Sequence, residues 1–343
     1  MPEPSPTPAR RGRLLRFGAA VAVLFALAGY LAVQYLTGGA GVPRCRVVSG
    51  KGGDASYEFT PEQAVNAATI SAVGTSRGLP ERAVAIALAT SLQESGLRNI
   101  RHGDRDSLGL FQQRPSQGWG TTKQIMDPTY AAGVFYEHLA KVPDYTRLPL
   151  TVAAQRVQRS GYPQAYAKHE PDATLLAAAL TGRAAATLTC EGRPGATPVG
   201  GPDSVRAALV RDFGHEVLQE AGADVSAQDD SAAPDGTPSS SASRPPSGSA
   251  TATAVASSPS AAVSARTVTV PVREDAASGT GVRGWELAHW AVANSSALHI
   301  ERVSYAGREW TAGRREGEWA GSGTQGAPAA KESATEVRIV TAR

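Results

Sequence analysis

The 343-residue chain is poor in the residues that build metal and redox centres, with two cysteines and six scattered histidines. No histidine or cysteine has a second ligand at zinc-site spacing, so no metal is implied. Charge of one sign is also missing. The net charge is +3 and charged residues make up 19% of the chain. No basic stripe interleaved with aromatics occurs, which argues against a nucleic-acid partner. Gly50-Lys51-Gly52-Gly53 is glycine-rich but lacks a phosphate-loop signature, and no cofactor is implied. Gly74-Thr75-Ser76-Arg77-Gly78 spells G-x-S-x-G, yet it ends a predicted helix instead of following a strand, against a nucleophile elbow.

One segment lacks charge altogether. Residues 17–36 run for twenty positions without a charged side chain, about 30 Å as a helix and enough for a bilayer core. Arg10, Arg11, Arg13 and Arg16 precede it. The positive-inside rule then predicts a cytoplasmic tail at 1–16, a signal anchor at 17–36 and the bulk of the chain extracytoplasmic. A cleaved signal peptide is the rival reading, disfavoured by the length of the run. Cys45 and Cys190 fall on the predicted outer side, where an even pair reads as a disulfide, with two free thiols as the alternative.

Between those cysteines, punctuation marks a series of short helices. Thr60-Pro61-Glu62-Gln63 is a capping box with proline at the first helical position. Pro80 opens a second helix that Gly96 closes. Its residues 83–89 are apolar almost all round, which predicts a buried central helix. Asp127-Pro128 starts a third, and further helices are expected near 151–159, 163–169 and 171–181. Strand alternation is weak, with a small hairpin near 98–112 the one candidate. Residues 191–266 read as a linker, helical at 205–220 and disordered at 222–266, where large apolar residues are nearly absent. Residues 267–343 predict a small α+β module, with a hairpin turn at Gly307.

Glu94 sits in the last turn of the apolar helix. The helix dipole and a greasy flank both disfavour its ionisation, and a carboxyl kept protonated can act as a general acid. A helix-favouring glutamate on a solvated edge is the plainer alternative. Gln93-Glu94-Ser95-Gly96-Leu97, followed by Ser107-Leu108-Gly109-Leu110-Phe111-Gln112-Gln113, resembles the ES…GLMQ pattern of the lytic transglycosylase and goose-lysozyme-like superfamily. Residues 45–190 as a block, including 103–121 and 162–170, resemble the lysozyme-like domains of actinobacterial membrane-anchored cell-wall proteins.

The resemblance implies a mainly α fold class: a lysozyme-like helical domain behind one transmembrane helix, with a small α+β module after a disordered linker. It implies membrane-anchored cleavage of peptidoglycan glycan strands, with Glu94 as general acid and then general base. Ser107, Gly109, Leu110, Gln112 and Gln113 would contact substrate below it. In that family the muramyl 6-hydroxyl captures the cation-like centre and yields a 1,6-anhydro sugar. A muramidase of the same fold would use water and a second carboxylate, for which Asp104 and Asp106 are candidates, although aspartates also stabilise turns. A scaffold that binds glycan without cutting it is the third reading. Trp119, between glycines, suits stacking on a sugar ring or covering the core. Tyr162 and Tyr166 could bond the acid or the sugar, or pack helices. The family's Ala-Tyr-Asn-Ala-Gly stretch is absent; Ala154-Gln155 with Val157-Gln158-Arg159-Ser160 stands in its place.

Overall fold

In the computed structural model, residues 29, 43–50, 53–160, 162, 164–191, 200–219, 265–272, 280–313, 319–321 and 334–342 are described. The chain forms two units, Met1–Pro43 and Arg44–Arg343. The second begins with strands β1 (Cys45–Val48) and β2 (Ser56–Phe59), then helices α1 (Pro61–Ser76) and α2 (Glu81–Ser95). A short turn α3 (Thr122–Ile125) leads into α4 (Pro128–Ala140), α5 (Leu150–Gln158), α6 (Glu170–Leu180) and strand β3 (Leu188–Cys190). Helix α7 (Gly201–Phe213) and strand β4 (Thr267–Pro271) come next, then α8 (Thr280–Ala293). Strands β5 (Ile300–Tyr305), β6 (Arg308–Thr311), β7 (Ala320–Gly321) and β8 (Glu336–Thr341) complete it.

Two features of the expected fold class are corrected. The described residues are mixed α and β, about 48% helical and 16% strand, and form two antiparallel sheets. The smaller sheet has the order β2-β1-β3, and its strands are three or four residues long, too short for a period of two to show in the sequence. The second correction concerns the membrane. Among the described residues no helix is long and apolar enough to cross a bilayer. The longest has 16 residues, about 24 Å against the ~30 Å of a hydrocarbon core. Residues 1–16 and, apart from Gly29, residues 17–36 lie outside the described residues. The single-pass, membrane-localised reading is therefore not upheld. Residues 222–264 of the expected linker also lie outside them.

Local chemistry explains the helices. Thr60 and Gln63 form the reciprocal capping box of α1, at 3.3 and 2.7 Å. Asp127 caps α4 by accepting from the backbone N–H groups of Thr129 and Tyr130. Helix α2 ends at Gly96, which adopts the left-handed conformation (φ 63°) that a Cβ would penalise. It is the central helix: residues 83–92 are buried, and α1, α4, α5 and α6 pack around it. Cys45 and Cys190 face each other across β1 and β3 and are disulfide-bonded. The bond joins the two ends of the 45–190 segment, whose sequence separation is 145. Closing a loop of that size stabilises by about 5 kcal/mol in the chain-entropy account.

The C-terminal sheet runs β4-β8-β5-β6-β7, and β5 turns into β6 through Ala306-Gly307, both at positive φ. Helix α8 fastens this part to the helices. His289, fully buried, bonds the Ala179 carbonyl through Nδ1 (2.8 Å) and accepts the Thr187 N–H at Nε2 (3.2 Å). Burial pushes its pKa down to about 4, so the ring is neutral. The carboxylate of Asp212 on α7 is buried and accepts from Trp290 Nε1 (2.9 Å), Thr69 Oγ1 (3.2 Å) and Arg211 Nε (2.8 Å). One side chain thus ties α1, α7 and α8.

Replacing Asp212 with alanine leaves those donors without an acceptor. The expected loss is about 2–4 kcal/mol of unfolding free energy in a urea titration. An unchanged midpoint would show that the carboxylate does not hold the three helices together.

Candidate active site

Glu94 is half-buried at the C-terminal end of α2. The carbonyls just beyond it are satisfied from α1: Gln63 Nε2 donates to Gly96 O and Asn66 Nδ2 to Leu97 O, both at 2.8 Å. The helix end is thereby fixed, and with it the carboxyl. Tyr166, fully buried, donates its hydroxyl to Glu94 Oε1 at 2.7 Å. The side chain of Gln158, the last residue of α5, also hydrogen-bonds Glu94. Burial raises the Glu94 pKa, and these two bonds oppose the rise by stabilising the ionised form. The Tyr166 hydroxyl is itself pushed far up, by burial first and then by the neighbouring carboxylate.

The loop from Ser107 to Gln113 is carried by the helix end. Ser91 and Ser95 donate their hydroxyls to Leu110 O, at 3.1 and 2.8 Å. Leu108 and Gln113 pair as a single antiparallel bridge, and Gly109 N–H donates to Ile100 O at 2.8 Å. Gly109 has φ 76°, and a Cβ there would lie 2.7 Å from Ile125 O, so close approach as well as conformation requires glycine. Ser107 and Leu110 are buried, and neither lines the cleft described next.

A cleft of about 480 Å³ opens beside this arrangement. Its lining includes Gln112, Gln113, Trp119 and Gln158. Glu94 is not itself a lining residue; Gln158 lies between the carboxyl and the cleft. Gln113 is 1% exposed and donates Nε2 to Ala131 O, yet its Oε1 has no partner. Gln158 likewise donates to Phe111 O at 2.7 Å and leaves Oε1 unpartnered. Both oxygens are buried in the wall of the cleft. Trp119 is half-buried and stacks on His138, with ring centroids 4.3 Å apart.

Three sequence candidates fall apart from the group. Asp104 has a side chain 94% exposed, with Arg105 Nε 4.0 Å away. Asp106 accepts from Arg114 Nε (2.8 Å), Ser116 N (2.8 Å) and Ser116 Oγ (3.0 Å). The Arg114 guanidinium, aided by those donors, holds its carboxyl well below the usual carboxylate range. Tyr162 is 78% exposed. Among the described residues no cluster of three or more metal-binding side chains is present.

His138 did not emerge as a site residue from the sequence, and Gln158 emerged only within the stretch that takes the place of the family's Ala-Tyr-Asn-Ala-Gly motif. The available signal was the pair Gln155 and Gln158, at i and i+3 on the last turns of an amphipathic helix. No protein-family model matches the chain, and no curated protein matches it.

The raised Glu94 pKa links stability to pH. Below the ordinary glutamate value the carboxyl is protonated in both states and its contribution is fully present. As pH rises through the higher folded value, stability is lost. Glu94→Gln cannot ionise, so its advantage over wild type should be absent in acid and reach roughly 0.5–2 kcal/mol at neutral pH. Thermal melts across that range measure it; a variant less stable at neutral pH would contradict the burial argument.

Proposed function

We propose that the chain cleaves the glycan strands of peptidoglycan, with Glu94 as the general acid and then the general base of a lytic transglycosylase. One observation carries the reading. The Glu94 carboxyl, its pKa raised by burial, is locked by Tyr166 and Gln158 beside a cleft lined in part by the Trp119 ring and by glutamines. Protonating a glycosidic oxygen needs an acid that keeps its proton near neutral pH. The motif resemblance from Glu94 to Gln113 names the sugar chain.

The Tyr166 bond has a second use. When Glu94 has given up its proton, the hydroxyl stabilises the carboxylate that must next remove a proton from the attacking 6-hydroxyl. Neither Asp104 nor Asp106 makes a contact with Glu94, and Asp106 is committed to its loop. Among the described residues no other carboxylate acts on Glu94, which supports internal capture over water.

The full chain should release soluble muropeptides from a peptidoglycan suspension, and Glu94→Gln should lower the rate by at least about 100-fold. Mass spectrometry is expected to find anhydro ends, lighter by one water than hydrolytic products. Hydrolytic ends would make the enzyme a muramidase. Glycan binding without release by either protein would leave a non-catalytic scaffold.

A further inference from the structure

Among the described residues, the lining of the cleft beside Glu94 includes four cations, Arg114, Lys141, Arg156 and Arg159, and no carboxylate. Lys141 caps the C-terminal end of α4, Arg156 lies in the last turn of α5 and Arg159 caps it. All three are exposed and none forms an ion pair among the described residues. The nearby acids are occupied elsewhere: Glu137 pairs with Arg77 at 3.3 Å, and Asp106 neutralises Arg114 at 2.8 Å. Helix C-termini favour cations, which accounts for the residue type at each position but not for the lack of any opposing acid. Arg159 also holds a left-handed backbone (φ 52°, ψ 39°) uncommon for a residue with a Cβ.

The positive field is felt locally. The pKa of His138, on the same wall, is lowered first by burial and then by Lys141; Glu137 opposes the fall, and Arg159 adds a smaller lowering. A neutral sugar chain gains nothing from such a wall. A carboxylate does, because guanidinium groups bind it in a fixed fork and the concave surface strengthens the attraction.

We propose that Lys141, Arg156 and Arg159 make this cleft selective for glycan strands bearing carboxylate substituents. The inference rests on the reading of the cleft as a glycan site, and it names charge as the basis of selection. The lactyl carboxylate of a muramic acid unit without a stem peptide fits that chemistry; where a stem peptide is attached that group is an amide, and the peptide's own carboxylates take its place.

Isothermal titration of the full chain carrying Glu94→Gln, which keeps the ligand intact, tests it with two probes. One is a chitin hexasaccharide, which is neutral; the other is an oligosaccharide of equal length containing muramic acid with free carboxylates. The carboxylated probe should bind about tenfold tighter at low salt, with the ratio shrinking as salt rises. Combining Lys141→Gln, Arg156→Gln and Arg159→Gln should bring the ratio near one. No preference, or a preference that survives the triple variant, overturns the proposal. The two readings fail separately. Muropeptide release by wild type without any charge preference would sink this inference alone, and a charge preference without release would sink the enzymatic reading alone.

Discussion

A carboxyl group kept short of water is the constraint around which the helical part of the molecule is arranged. Helix α2 is buried along nearly its whole length and ends where Glu94 meets Tyr166. The same helix end presents Ser91 and Ser95 to the carbonyl of Leu110, so the 107–113 loop takes its position from the element that carries the acid. Burial supplies the raised pKa, and two side chains reaching from α5 and the segment before α6 limit how far it goes. Removing the helix packing would cost the acid its environment and the loop its anchor together.

The parts of the fold written in punctuation and periodicity were legible. The Thr60 capping box, the Asp127 cap, the glycine closing α2 and its all-round apolar face each have a local physical cause within a few residues. What escaped was long-range. The three-stranded sheet depends on pairing Val47 with Leu188, far away in sequence, as well as with Tyr57 on the next strand, and all three strands are too short to alternate visibly. Buried polar ties such as Asp212 to Trp290 and Thr69 leave no periodic trace either. The apolar run at 17–36 supported a membrane reading by composition alone, and among the described residues no helix is long and apolar enough to span a bilayer.

The site follows the same division. Glu94 is legible because a glutamate in an apolar helix end is an energetic anomaly, and the Ser107–Gln113 stretch because its glycine and glutamines sit at fixed offsets from it. Tyr166 could be named only as one of two tyrosines with open roles; the fold separates them, burying Tyr166 against the acid and leaving Tyr162 in solvent. Asp106 was a reasonable second carboxylate by proximity in sequence. Its three hydrogen bonds to Arg114 and Ser116 show instead a turn-stabilising anion. Gln158 lies 64 positions beyond Glu94 and reaches it only because α5 packs on α2.

The account stands on the protonation of one group, and that can be observed directly. A carbon-13 NMR titration of the glutamate carboxyls, with Glu94 assigned by its loss in Glu94→Gln, reads its midpoint without reference to any substrate. The midpoint should lie above that of an ordinary glutamate and move higher still in Tyr166→Phe, where the bond favouring the ionised form is gone. A midpoint at or below the ordinary value would mean that the carboxyl is already ionised at neutral pH, and the acid at the centre of this structure would not exist.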